Sequence, residues 1–429
     1  MSDTDRGTLT RRDVVKLTAG GVALSMLGPL APLAGAGRPT TSDIFSVRSI
    51  PSSPWRKRLL GKNHHAGVDC LLYLMGAGGL KFYRTRKRDP LSSHKGMIAA
   101  NDVVLIKVNA QWKYRGCTNS DVIRGLIQAI LEHPEGFTGE VVVIENGQGT
   151  GSLECANRSR YPDDSIHANA NQSHHSFTYV VDNLIADPRV SYYLLDPLNA
   201  RVIDSSDHTT DGYRSFEDVS YPCFTTAGGK RVELKEGIWT GGGYSRGLKL
   251  INVPVLKHHD TGGSEVTAAL KHVYGILSIP WGDEERWDYL HYSGLGETCG
   301  KMMASVCTPV LNIIDAIWVS HQALAGYPAG RTRRLNRLVA SQDPVALDYW
   351  ALKNILYSID QNPRHHPDFE GIRAWIEPAR DLINARGGLW KPGRGVRADL
   401  ATTDEARMRV SSYSARQFIE DVRQALQTA

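Results

Sequence analysis

Between residues 103 and 145 the hydrophobic period of the chain changes twice. Val103–Val108 is an apolar run interrupted only by Lys107, and Glu140–Glu145 is a second such run. Asp121–Leu131, between them, places Val122, Leu126, Ile127, Ile130 and Leu131 on one helical face. Nearly unbroken apolar runs of this length read as strands buried on both faces. Two strands joined through a helix form a βαβ unit, and parallel strands need such a crossover, which is right-handed almost without exception. The expected fold class is therefore α/β, a mixed, largely parallel sheet flanked by helices. Leu248–Leu256 and Leu311–Val319 extend the sheet, with Tyr192–Leu195 as a weaker strand.

The stretch from about 147 to 246 does not keep this rhythm. It is rich in Gly, Asn, Asp, Ser, Tyr and His, and a structureless loop of that length does not belong in a compact domain. It reads as an inserted subdomain or a long inserted cap region over one end of the sheet. The α/β domain then spans about 61–360, followed by a C-terminal helical extension over 361–429. Within these, Asp343 before Pro344 suits an N-cap followed by the first helical position, and Ser414–Leu426 is an amphipathic helix. Residues 37–60, rich in Pro, Ser, Thr and Arg, read as a linker.

Residues 1–36 have the features of a twin-arginine signal peptide. Arg11 and Arg12 stand in Thr10-Arg11-Arg12-Asp13-Val14-Val15-Lys16, and a weakly apolar stretch from Leu17 to Leu33 follows. Ala34-Gly35-Ala36 then supplies small residues for cleavage. The expectation is export, folded, through the twin-arginine translocase to the periplasm or another extracytoplasmic space. Glycines and prolines interrupt the apolar stretch, and no later run reaches the roughly 18 apolar residues of a spanning helix, so no stable membrane span is expected after cleavage. The net charge of +5 is thinly spread, which argues against a nucleic-acid surface. Arg84–Arg88 and Arg331–Arg334 read as solvated faces. None of the six cysteines forms a C-x-x-C pair, so an iron–sulfur cluster is not expected. Cys299 and Cys307 are closest in sequence, but a cargo that folds in a reducing compartment is expected to hold mainly buried thiols.

Ligands of open α/β sheets bind beyond the carboxyl ends of the strands. Those ends are polar here: Lys107-Val108-Asn109-Ala110-Gln111, Glu145-Asn146-Gly147-Gln148-Gly149-Thr150-Gly151, and Lys257-His258-His259-Asp260-Thr261-Gly262-Gly263-Ser264. The third is the sharpest. Ser264 can cap a helix from Glu265 to about Ile276, and Gly262 and Gly263 would let backbone N–H groups approach an anion at its start. Lys107, Asn109, Lys257, Gly262, Gly263 and Lys271 are thus candidates for binding a small anionic substrate. His258, His259 and Asp260 are candidates for proton transfer, or for a divalent metal as the cofactor. Adjacent histidines on an extended strand point to opposite faces, so only one would reach a given ion. Lys271 should reach back toward the glycines while His272 faces elsewhere. Of the fifteen histidines, His64-His65 and His365-His366 sit in turn-like contexts and read as surface features, and His167 with His174-His175 is a weaker ligand spacing. Neither G-x-S-x-G nor H-E-x-x-H occurs, which disfavours an ordinary serine hydrolase or zincin.

Four blocks resemble the domain-of-unknown-function 362 family: Val103–Gln111, Leu248–Gly275, Asp315-Ala316-Ile317 and Leu338–Asp348. The resemblance covers roughly residues 98–360 with the insert interrupting it. It implies an α/β fold and no particular reaction. The cysteine-rich ferredoxin-like module of many members is missing here, which removes the family's ground for electron transfer. Three functions stay open: an exported enzyme acting on a small anionic substrate, a non-catalytic cell-envelope protein that binds a ligand or partner, and a redox protein whose cofactor is loaded before export.

Overall fold

A computed structural model describes residues 41–55, 64–148, 153–156, 165–259, 261–279, 293–390, 397–399 and 401–428. Arg11, Arg12, the Ala34–Ala36 segment, Asp260 and Gly149–Gly151 lie outside the described residues. The main sheet has ten strands: β1 (Ser42–Arg48), β2 (Val103–Val108), β3 (Glu140–Glu145), β4 (Val190–Leu194), β5 (Leu248–Val253), β6 (Val255–His258), β7 (Val266–Thr267), β8 (Leu311–Ser320), β9 (Thr332–Ser341) and β10 (Met408–Ser414). The order across the sheet is β10-β1-β9-β8-β5-β2-β3-β4, with β6 paired to β8 and β7. Along that path only β9 runs against the others. The mixed, largely parallel α/β architecture is therefore as the hydrophobic runs indicate.

Strand side chains alternate between faces, and the sheet accordingly divides two cores. Val103, Leu105, Val142, Ile144 and Leu250 enter the first, beneath α3 (Ala269–His272), α4 (Leu295–Lys301), α5 (Pro344–Ala351) and α6 (Glu370–Ala385). Val104, Ile106, Val141, Val143 and Ile251 enter the second, beneath α1 (Ala66–Ala77), α2 (Ser120–Leu131) and α7 (Ala415–Thr428). The α2 crossover starts where the Asn119 side chain accepts a hydrogen bond from Val122 N at 3.2 Å, and its Val122, Ile123, Leu126, Ile127 and Ile130 are fully buried. Each such side chain gains roughly 2 kcal/mol over exposure, so this face outweighs the weak intrinsic stability of a helix this short.

Several boundaries differ from the sequence reading. Residues 42–48, within the expected linker, form β1, because Ile44 enters one core and Phe45 and Val47 enter the other. Leu248–Leu256 is two strands, since Pro254 has no N–H to give a ladder and β6 turns to pair with β8. The insert supplies β4 and a five-stranded antiparallel meander over 212–245. That meander runs along β3 rather than over one end: Thr226 Oγ1 meets Glu140 at the start of the strand and Tyr213 OH meets Asn146 just past its end. The C-terminal part adds β10 as well as helices, pairing in parallel with β1.

Candidate functional site

The parallel register carries the predicted ends to one edge. Lys107 lies opposite Asn252 across β2 and β5, and Lys257 lies opposite Ser320 across β6 and β8. The loop leaving β2 is laced to the β5–β6 break. Asn109 Oδ1 accepts from Val255 N at 2.9 Å, and Thr118 Oγ1 donates to Val253 O at 2.8 Å. Asn109, expected to hold substrate, thus uses its side-chain oxygen to fix the strand break. Asp315 ties the same loop to β8 by accepting from Asn119 N and Ile317 N at 2.8 and 2.9 Å. Burial raises its carboxyl to about 6.

Three lysines are almost wholly enclosed at this edge, with exposures of 0% for Lys107, 2% for Lys257 and 7% for Lys271. Lys107 Nζ donates at 2.7 Å to both Glu145 Oε2 and Val108 O. Burial pushes Lys107 down and Glu145 up to about 7, and their attraction works against both shifts. The two opposed shifts bring the amine and the carboxylate closer together in proton affinity. Lys257 Nζ donates to Gly116 O at 2.8 Å. Burial, then the charge of Lys271, brings its amine to about 7. Lys271 Nζ meets His259 Nε2 at 3.1 Å, and burial brings it to about 7 too.

His272 belongs to this group, contrary to the expectation that it faces elsewhere. Its Nε2 lies 3.2 Å from Lys107 Nζ and its Nδ1 lies 2.6 Å from Asn252 Oδ1. Burial and the Lys107 charge hold it well below the ordinary histidine range, so the ring is neutral. The two contacts assign its tautomer: Nδ1–H donates to Asn252 and Nε2 accepts from Lys107. Asn252 in turn donates to Asn312 Oδ1 and Ala269 O, both at 2.9 Å.

The turn from β6 to β7 corrects the predicted helix start. Val266 and Thr267, β-branched, return antiparallel against His258 and Lys257, so helix begins only at Ala269 and Ser264 caps nothing. Gly262 is in the left-handed region at φ +83, as a tight return requires. Its N–H is taken by Glu265 Oε1 at 2.9 Å, and Arg364 Nε donates to Glu265 Oε2 at 2.8 Å. The Gly262-Gly263 turn therefore carries its own carboxylate where an anion was expected.

The two strand-end histidines diverge. His259 faces Lys271, whereas His258 Nδ1 meets His365 Nε2 at 3.0 Å. Asp360 accepts from His365 Nδ1 at 3.3 Å and from His321 Nδ1 at 2.9 Å. Burial, then the neighbouring His365, lowers His258 to about 4. His365 is fully buried, so its assignment to the surface was wrong, as it was for His64 and His65. His65 accepts from Val68 N at the start of α1, and His64 meets Asp69 at 3.0 Å. The adjacent His258 and His259 thus point to opposite faces, as an extended strand requires, so only one of them could reach a given ion. Among the described residues no group of three or more His, Cys, Asp or Glu side chains is arranged to hold a metal ion. Glu145, Asn252, His321, Asp360 and His365 were absent from the predicted set. Only Glu145, at the end of an apolar strand, carried a signal that could have found it.

A separate cavity of about 1160 Å³ is lined by Trp55, Arg124, His175, Arg416 and Arg423, among others, and by none of the lysine cluster. Two of its arginines are exposed and Arg423 is already paired with Glu420, so the buried edge has the stronger claim to chemistry. Residues 246–353 match the model of a domain of unknown function (DUF362). The match is narrower than the resemblance over 98–360, yet it holds Lys257, His258, His259, Lys271, His272 and Asp348. Comparison with curated proteins and with solved structures returned no match.

Proposed function

We propose that the buried edge binds a small anion and moves a proton to or from it, within an exported enzyme acting on a small anionic substrate. The observation that carries this reading is the convergence of three enclosed amines, Lys107, Lys257 and Lys271, with the Glu145 carboxylate hydrogen-bonded to one of them. An anion among them would restore each amine toward its ordinary affinity for a proton. A proton donor or acceptor works best when its pKa lies near the operating pH, as Lys257 and Lys271 do at about 7. The enclosure restricts the ligand to a small one.

The test is thermal stability of the native protein with phosphate, sulfate or oxalate, against chloride at equal ionic strength. At least one should raise Tm at pH 6, where the amines are charged, and the rise should fade by pH 9. Lys257→Met/Lys271→Met should abolish it. The proposal fails if no anion exceeds chloride at pH 6, or if the double variant responds as the parent does. Binding without turnover of any small anionic substrate would favour the non-catalytic envelope protein.

Export is proposed from Arg11 and Arg12. Arg11→Lys/Arg12→Lys is expected to leave full-length precursor in the cytoplasm by cell fractionation. Normal processing of that variant would remove the twin-arginine reading.

A further inference from the structure

The cavity of about 1160 Å³ is walled by the segment after β1, the start of α2, the stretch 171–175 and α7. The lysine edge leaves it without a role. Its floor is built around one arginine. Arg124 stands on the outer side of α2, whose Val122, Ile123, Leu126 and Ile127 are committed to the core. Its guanidinium carbon lies 4.2 Å from the centre of the Trp55 ring, a cation–π stack. Trp55 is itself fixed. Its backbone bridges antiparallel to His65, and the two rings meet at 86° with centroids 5.4 Å apart. Gly125 lets α2 come this close, since a Cβ there would lie 2.6 Å from that of His65. Arg124 is thus held in place before any ligand arrives.

The hydrogen-bonding capacity of this arginine is unspent. Among the described residues Arg124 has no hydrogen-bond or ion-pair partner. The nearby Asp121 is engaged elsewhere, its Oδ2 accepting from Asn171 N at 2.8 Å. Arg416, exposed on α7, is likewise unpaired among the described residues. Arg423 differs, because Glu420 pairs with it. Two planar donor forks therefore line one cavity with no protein group filling them, and carboxylate and phosphate are the groups that match such forks. The rim is open to solvent. Ser52, Ser53, Asn171 and Gln172 are exposed there, and all four are neutral side chains that both donate and accept. Apolar lining comes from Pro51, Trp55 and Ile419. Both aromatic rings of the lining are already engaged, Trp55 by Arg124 and His175 by Tyr179 at 5.3 Å.

We infer that this cavity is a second binding site, for a polyhydroxylated acid: a uronate or a sugar phosphate. Arg124 and Arg416 supply the charge that holds the acid group, and the four neutral rim side chains exchange hydrogen bonds with hydroxyls. Three arginines against two engaged carboxylates select against a cation. The scarcity of apolar lining and of open ring faces selects against a nucleobase. The volume lies above the range of about 300–1,000 Å³ usual for small-molecule sites, so more than one sugar ring has room. The inference stands on the arginines and their cavity, independently of the proposal for the lysine edge.

Native protein is titrated calorimetrically with glucuronate and with glucose 6-phosphate, and with glucose and inorganic phosphate for comparison, all at equal ionic strength. At least one acid should bind with a Kd below about 1 mM, and glucose and inorganic phosphate should each bind at least about tenfold more weakly. Binding of the uronate alone, or of the phosphate ester alone, supports the inference and assigns the acid group. Arg124→Gln and Arg416→Glu should each weaken that binding at least about tenfold. Arg416 is exposed, so its variant keeps a cooperative melt even if the Arg124 variant does not. Lys257→Met/Lys271→Met should bind the acid as the parent does, which separates this site from the lysine edge. The inference is overturned if neither acid binds, if inorganic phosphate binds as tightly as the better acid, or if Arg416→Glu binds as the parent does. Loss of binding in the lysine variant with none in the arginine variants would overturn it too.

Discussion

Lys257→Met is expected to stabilise the protein by about 2–4 kcal/mol at pH 6, and to lose that advantage as the pH rises. In the unfolded chain this amine titrates near 10.5, and in the fold near 7. Each unit of difference is about 1.4 kcal/mol, so burying the ammonium costs roughly 5 kcal/mol. The Gly116 carbonyl left without its donor returns about 1–3 kcal/mol of that. Below pH 7 both states are protonated and the full cost is present. Between about pH 7 and 10 the unfolded chain holds a proton that the fold has released, so wild type regains about 1.4 kcal/mol per unit. Methionine does not titrate. The gap between the urea curves of variant and parent should therefore be widest at pH 6 and narrow steadily through pH 7.5 and 9. The Lys271 charge contributes to the Lys257 shift, so Lys257→Met/Lys271→Met should gain less than the sum of the single changes. A variant less stable than wild type at pH 6, or a gap that does not change with pH, would show an amine held in a charge-tolerant setting.

Local periodicity carried the sheet, because period-2 burial and a period-3.6 crossover leave few alternatives for residues 103–145. It also carried half of the site. Lys107 and Lys257 end strands that the handedness rule aligns, so their shared edge follows from the run lengths alone. The partners of those lysines did not follow. His272 meets Lys107 across 165 positions and His258 meets His365 across 107, and no local pattern encodes contacts of that span. The Gly262-Gly263 turn misled for a different reason. Two glycines before a serine fit a helix start and a β-return equally well, and the β-branched pair Val266-Thr267 decided for the return. The linker reading failed at Ile44–Val47, where four residues of strand pattern were outweighed by flanking Pro, Ser and Thr. Pro254 was visible throughout, and its lack of an N–H was sufficient reason to break the long Leu248–Leu256 run.

Asp348→Ala is expected to cost about 3–5 kcal/mol and to displace Lys271 and His272. The segment Leu338–Asp348 holds two buried aspartates with different tasks. Asp343 caps its own helix by accepting from Val345 N at 2.9 Å and Ala346 N at 3.1 Å. Asp348, on the buried side of α5, accepts from Ala269 N at 2.6 Å and Leu270 N at 2.8 Å. Those are the first N–H groups of α3, which has no side-chain cap of its own and carries Lys271 and His272. Burial raises Asp348 to about 8, against the pull of the same two N–H groups. Alanine would leave two enclosed donors without an acceptor at about 1–3 kcal/mol each, plus a small cavity. The raised carboxyl means that its contribution is complete at acid pH and declines as the pH rises from about 4 to 8. The deficit of the variant should therefore be larger at pH 5 than at pH 8. Asp348→Asn, which keeps one acceptor and cannot ionise, should lose less than alanine at both. Urea unfolding at the two pH values measures the cost, and ring-proton NMR of His272 reports its position, since a freed imidazole returns toward an ordinary titration near 6.5. An alanine variant within 1 kcal/mol of wild type at pH 5, with the His272 resonance unmoved, would mean that α3 is held by its apolar contacts and that Asp348 has no part in building the lysine edge.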